Sequence, residues 1–133
     1  MRIMLCYDGS EESKEALKEA RKHARAFSAE MLIVTSFAAE DRFHAKDIEA
    51  ARSGLEVARA SLAADGIPCE TLISVRGLEP GEDLTLLARE KSVDEVVIGV
   101  KHRSRVGKLL IGSVAQHVIL MAECPVLGVK KKL

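Results

Sequence analysis

The sequence has no tryptophan, and one tyrosine and three phenylalanines make up its aromatic content. Binding of single-stranded nucleic acid leans on aromatic stacking platforms, so this composition argues against it. The core must instead be aliphatic. The 20 basic and 20 acidic residues cancel, so no global field steers the chain toward nucleic acid or a membrane surface. No apolar run approaches the ~20 residues of a membrane-spanning helix. The three cysteines, Cys6, Cys69 and Cys124, are odd in number and lack metal-ligand spacing. The opening, MRIMLCYDGSEES, has an apolar run too short for a secretory signal. These absences predict a reduced, cytoplasmic protein with buried thiols, bound to neither membrane nor nucleic acid.

What is present fits one domain over residues 1–133, with 47% hydrophobic and 30% charged residues. Short apolar runs at Ile3–Cys6, Met31–Val34, Val96–Ile98 and Pro125–Val129 read as strands, the first of them buried on both faces as in a parallel sheet. Thr71–Val75 is less apolar and partly alternating, as an edge strand would be. Between the strands lie helical patterns. Ala16, Leu17, Ala20, Ala24 and Phe27 recur at helical spacing after a Ser10 cap. Ile48, Ala51, Leu55, Ala58 and Leu62 form a stripe that stops at Asp65-Gly66 before Pro68. Pro80 opens a third helix and Ser113 a short fourth one. Strand and helix alternate throughout, which implies an α/β fold: one parallel sheet with helices on both faces.

In open parallel sheets ligands sit at the carboxyl ends of strands, where strand order reverses. Two such ends are polar and glycine-rich: Asp8-Gly9-Ser10 and GVKHRSRVGKLLIGS from Gly99 to Ser113. Gly99 permits close backbone approach. Gly112 and Ser113 open a helix whose free N–H groups attract phosphate. Lys101, Arg103, Arg105 and Lys108 supply positive charge. Asp8 is suited to accept from a ribose hydroxyl or an amino group. Each residue also has a plainer reading, since a basic loop is usually a solvated surface and Asp-Gly-Ser usually a turn into a helix. The loop is not a phosphate-binding loop of the GxxxxGK[ST] type, because Leu109 follows Gly107-Lys108 and His102 occupies the required glycine position. No GxGxxG follows the first strand.

The chain resembles the universal stress protein family over its whole length. The family's nucleotide motif is Gly, two residues, Gly, nine residues, then Gly with Ser or Thr; Gly99, Gly112 and Ser113 match it in register. The opening YDGSEES and the ending SVAQHVILMAECPVLGVK resemble the family's first turn and its last helix and strand. The resemblance implies a Rossmann-like sheet of five parallel strands in the order 3-2-1-4-5, of the adenine-nucleotide alpha-hydrolase-like kind. It implies ATP or AMP, with Mg²⁺ as a companion ion, between the first and fourth strands. Asp8 and Gly99 would hold the adenosine, backbone near Thr35 and Ser36 would line the adenine pocket, and Gly112 and Ser113, aided by Arg103 or Arg105, would hold the phosphates. It further implies a homodimer through residues 125–129, a regulatory role in the stress response, and no catalysis beyond slow incidental ATP hydrolysis.

One residue departs from the pattern. His102 stands where the motif has its second glycine. A side chain there obstructs the backbone if φ must be positive, whereas an imidazole can donate to a phosphate. The alternative reading is therefore an interaction protein of the same fold with an altered phosphate site. His23, His44 and His117 lack the spacing of a metal site, and no metal is expected. No Ser/His/Asp or Cys/His pattern supports an enzyme.

Overall fold

A computed structural model describes residues 1–38, 44–101 and 111–131. The elements run β1 (Arg2–Cys6), α1 (Glu11–Phe27), β2 (Glu30–Phe37), α2 (Ala45–Ala64), β3 (Cys69–Val75), α3 (Pro80–Glu90), β4 (Glu95–Val100), α4 (Ser113–Met121) and β5 (Val126–Lys130). All five strands are parallel, in the order β3-β2-β1-β4-β5. The expected strand order therefore holds, and β1 and β4 are neighbours, with Cys6 level with Ile98.

Alternation of side chains along each strand splits the core into two layers. Ile3 and Leu5 of β1 face α1 and α2, where they meet Ala16, Ala20, Leu55 and Leu62. Met4 and Cys6 face α3 and α4, with Leu84, Leu87, Ala115 and Val118. Both faces of β1 are thus covered, which is why its run is apolar throughout. The residues α1 buries are small: Ser13, Ala16, Ala20 and Ala24. That lets the helix lie close against β4.

Strand β2 extends past Val34, where the apolar run stops. Thr35, Ser36 and Phe37 pair with Ile73, Ser74 and Val75 of β3. A ladder is made by backbone groups and does not require apolar side chains, so the strand continues through Thr35 and Ser36. Helix α2 ends at Asp65, followed by Gly66 at φ +74°, the left-handed stop that its sequence signalled.

Ser74 is buried, and its Oγ has no hydrogen-bond partner among the described residues. Removing an unpaired buried hydroxyl removes a desolvation cost. Ser74→Ala is expected to leave stability unchanged or raise it by up to about 1 kcal/mol, measured by urea unfolding. A loss of stability would show that the hydroxyl is paired after all.

Candidate functional site

The chain leaves β1 through Tyr7, Asp8 and Gly9, and Gly9 adopts φ +82°. That turn aims Asp8 back at α1, where its Oδ1 accepts from the Ser10 backbone N–H at 2.9 Å. Burial acts to raise the Asp8 pKa. Hydrogen bonds from Ser10 and Ser13, with the charge of Lys101, outweigh it and hold the carboxyl below its usual range. Asp8 is therefore an acceptor at neutral pH, fit for a ligand hydroxyl. Ser10 meanwhile caps α1, accepting from the Ser13 N–H at 3.2 Å.

The other side of the crevice is the end of β4 and the start of α4. The two motif glycines there have different physical reasons. A Cβ on Gly99 would lie 2.6 Å from the backbone carbon of Glu12 and 2.7 Å from its carbonyl oxygen. Gly99 thus serves the contact between β4 and α1. Among the described residues, a Cβ on Gly112 would meet nothing within 4 Å, so they do not demand glycine there. Gly112 is the N-cap of α4 and gives it no side-chain cap, and the first turn holds no acidic residue. The other three helices carry acids in their first turns: Glu11 and Glu12 in α1, Asp47 in α2, Glu82 and Asp83 in α3. The N-terminus of α4 is the helix end that retains attraction for an anion.

Both sides open on one cavity of about 350 Å³, whose lining includes Asp8, Ser36, Gly99, Lys101, Gly112 and Ser113. Cys6 is in its floor, and burial, reinforced by Asp8 and Cys124, pushes that thiol up to about 12. A thiol so seldom ionised is no nucleophile. Cys69 is pushed up to about 11 by burial. No cluster of metal-ligating side chains occurs among the described residues. His23 bonds Glu95 at 2.7 Å, and His117 packs against Gly81. Of the sequence-derived site residues, His102, Arg103 and Arg105 lie outside the described residues.

The end of β2 separates Thr35 from Ser36. Thr35 turns its hydroxyl to the Tyr7 carbonyl, donating at 2.6 Å, and it is buried. Its side chain is used in tying β2 to β1 and does not line the cavity. Ser36, one position on, faces the opposite layer and does line it. Its hydroxyl donates to Asp83 Oδ2 at 2.5 Å, and Arg76 Nε donates to Asp83 Oδ1 at 2.7 Å. Asp83 is fully buried. Sequence reasoning missed this group. An acid in a first helical turn looks ordinary, and no local spacing indicates that β2 and β3 deliver Ser36 and Arg76 to it.

The assembled site can bind an anion at α4 and a hydroxyl-bearing group at Asp8, with apolar walls between. A model for the Universal stress protein family matches residues 1–130. The Thermus aquaticus "universal stress protein in QAH/OAS sulfhydrylase 3'region" is 32% identical over 134 residues, covering 96% of this chain and 97% of its own. A solved universal stress protein from Archaeoglobus fulgidus is 34% identical with a TM-score of 0.88, covering 98% of both chains. A universal stress protein from Archaeoglobus fulgidus solved in complex with dAMP is 30% identical with a TM-score of 0.80, again over 98% of both chains. With the family model spanning nearly the whole length and relatives at 32% and 34% identity, the chain belongs to the universal stress protein family.

Proposed function

We propose that this protein is a regulatory binder of adenine nucleotide, ATP or AMP, that acts as a homodimer in the stress response and does not turn its ligand over. One observation carries the reading: the uncapped N-terminus of α4 and the Asp8 carboxylate face each other across one cavity. Phosphate belongs at Gly112, Ser113 and Lys101, and the ribose at Asp8. Arg103, Arg105 and His102 belong to the segment between Lys101 and Ile111 and are close in sequence to the phosphate end. Mg²⁺ would accompany ATP. The dAMP complex of the Archaeoglobus fulgidus relative supports the ligand class.

The dimer is supported by an unpaired edge. Among the described residues, strand β5 pairs only with β4, and Leu120 and Met121 of α4 beside it are 69% and 59% exposed. An apolar edge of this kind is a liability unless a partner covers it. No helix among the described residues is long and apolar enough to cross a membrane.

The test is to denature freshly purified protein, identify released small molecules, and titrate the stripped protein with ATP and AMP by calorimetry. Absence of released nucleotide together with no binding heat at millimolar concentration sinks the proposal. It would favour the second reading, an interaction protein whose phosphate site His102 has altered. Gly112→Ala sharpens the test. Alanine at this N-cap is expected to cost about 1 kcal/mol or less, because its Cβ meets no atom of the described residues within 4 Å. The same methyl occupies the approach to the α4 N–H groups and is expected to weaken AMP at least tenfold. Unchanged AMP affinity in a folded Gly112→Ala protein would move the phosphate elsewhere.

A further inference from the structure

The cavity carries more negative charge than an anion site needs. Among the described residues, its charged lining is Asp8, Glu12 and Lys101, two carboxylates against one ammonium. Two of the three have a role already. Asp8 accepts from the Ser10 N–H at 2.9 Å and is assigned the ribose, and Lys101 is assigned the phosphate. Glu12 has neither role. Its neighbour Glu11 is exposed and pairs with Lys14 at 3.7 Å. No hydrogen bond or ion pair joins the Glu12 carboxylate to another described residue.

Local geometry explains the placement. Ser10 caps α1, so Glu11 and Glu12 open the helix, and Ser13, next along, is buried. Glu12 lies against the end of β4, since a Cβ on Gly99 would be 2.9 Å from Glu12 Cβ. Lys101, Gly112 and Ser113 line the same cavity just beyond that strand end. Helices α1 and α4 pack on opposite faces of the sheet. Glu12 therefore borders the phosphate end from the side across from α4.

Charge decides what a carboxylate does there. It repels phosphate, and the repulsion grows with the charge the ligand brings. AMP brings one phosphate, which the α4 N-terminus and Lys101 attract. Free ATP brings two more, which extend past α4 into the mouth that Glu12 borders. A divalent cation on those phosphates cancels their added charge. We infer that Glu12 is a specificity determinant that reads the charge of the phosphate chain. It disfavours a free nucleoside triphosphate and admits a nucleoside monophosphate, or a triphosphate that carries a divalent cation. The inference rests on the nucleotide reading above and narrows its ligand. Glu12 acts by charge across the cavity, with no metal ligation required of it. A first-turn acid also favours its own helix dipole, but that role alone would not distinguish one nucleotide from another.

The experiment titrates wild type, Glu12→Gln and Glu11→Gln by calorimetry with three ligands: AMP, ATP in EDTA, and ATP with excess Mg²⁺. Salt is kept at about 0.1 M, where charges roughly 10 Å apart still interact. Glutamine keeps the size of the side chain and removes its charge. Glu12→Gln is expected to tighten free ATP about tenfold more than it tightens AMP or Mg²⁺-ATP, the scale of two extra charges repelled across a partly screened cavity. The readout is the change on mutation, so other cations near the phosphates drop out of the comparison. Glu11→Gln removes a charge from the same helical turn, outside the cavity, and should leave the three affinities in their wild-type ratio. An equal change for all three ligands in Glu12→Gln, or no change, overturns the inference while leaving nucleotide binding intact. So does a shift of the same size in Glu11→Gln, which would assign the effect to the helix end. If wild type binds none of the ligands, the nucleotide reading itself falls, and this inference with it. Glu12→Ala must show the same discrimination, and it decides the matter if Glu12→Gln fails to fold.

Discussion

Replacing Gly99 with alanine is expected to destabilise the protein by about 3 kcal/mol and to lower Tm by about 10 °C at fixed protein concentration. The added Cβ would sit 2.6 Å from the Glu12 backbone carbon and 2.7 Å from its oxygen. Neither neighbour can turn aside. Glu12 is in the first turn of α1, and Gly99 is in β4, level with Val129 in the parallel ladder to β5. Relief requires the helix and the sheet to separate, which opens the layer where Ala16 and Ala20 pack on Leu5 and Val97. Overpacking against backbone is costlier than against a side chain that can change rotamer. Thermal and urea unfolding of the two proteins provide the measurement. A loss below about 1 kcal/mol would mean that α1 shifts freely on the sheet. The contrast with Gly112→Ala matters here, since both glycines belong to one motif. The first substitution should damage the fold and the second the binding.

Arg76→Ala is expected to cost about 2 kcal/mol, below the range for breaking a pair buried on both sides, because Asp83 is buried while the Arg76 side chain is 33% exposed. Asp83 is fully buried and, among the described residues, would retain only the Ser36 hydroxyl as a side-chain donor. The loss arises from the stranded carboxylate rather than from the attraction of the pair, so removing both partners should recover most of it. Arg76→Met combined with Asp83→Leu is therefore expected to be clearly more stable than Arg76→Ala alone. Urea unfolding of wild type, single and double variants decides the matter. A double variant no more stable than the single would show that the arginine contributes through its packing or through Glu90, to which it also donates at 2.7 Å.

Much of this was legible in the order of residues. Alternating apolar runs and helical stripes implied a parallel sheet because a strand covered on both faces is apolar throughout, as Ile3–Cys6 is. The caps were local as well. Ser10 before two glutamates, Pro80 at a helix start and Gly66 after a helix end are read within a few residues of where they act. Asp8 and the Gly112-Ser113 pair were identifiable as a crevice because strand ends and helix starts are themselves local features, and the register of the family motif aligned them.

Other features depended on segments far apart in the chain. Thr35 and Ser36 are equivalent as neighbouring polar residues, and only the pleat assigns one to the Tyr7 carbonyl and the other to the cavity. Gly99 reads as a ligand glycine until the approach of Glu12 shows a packing requirement. Asp83 looks like a helix-start acid until strand pairing brings Ser36 and Arg76 to its two oxygens. Sequence by itself determined the elements, their caps and the family, since those depend on periodicity and neighbours. Tertiary structure decided which polar groups meet, because pairs such as Ser36 and Asp83, 47 positions apart, come within reach only when the sheet and its helices assemble.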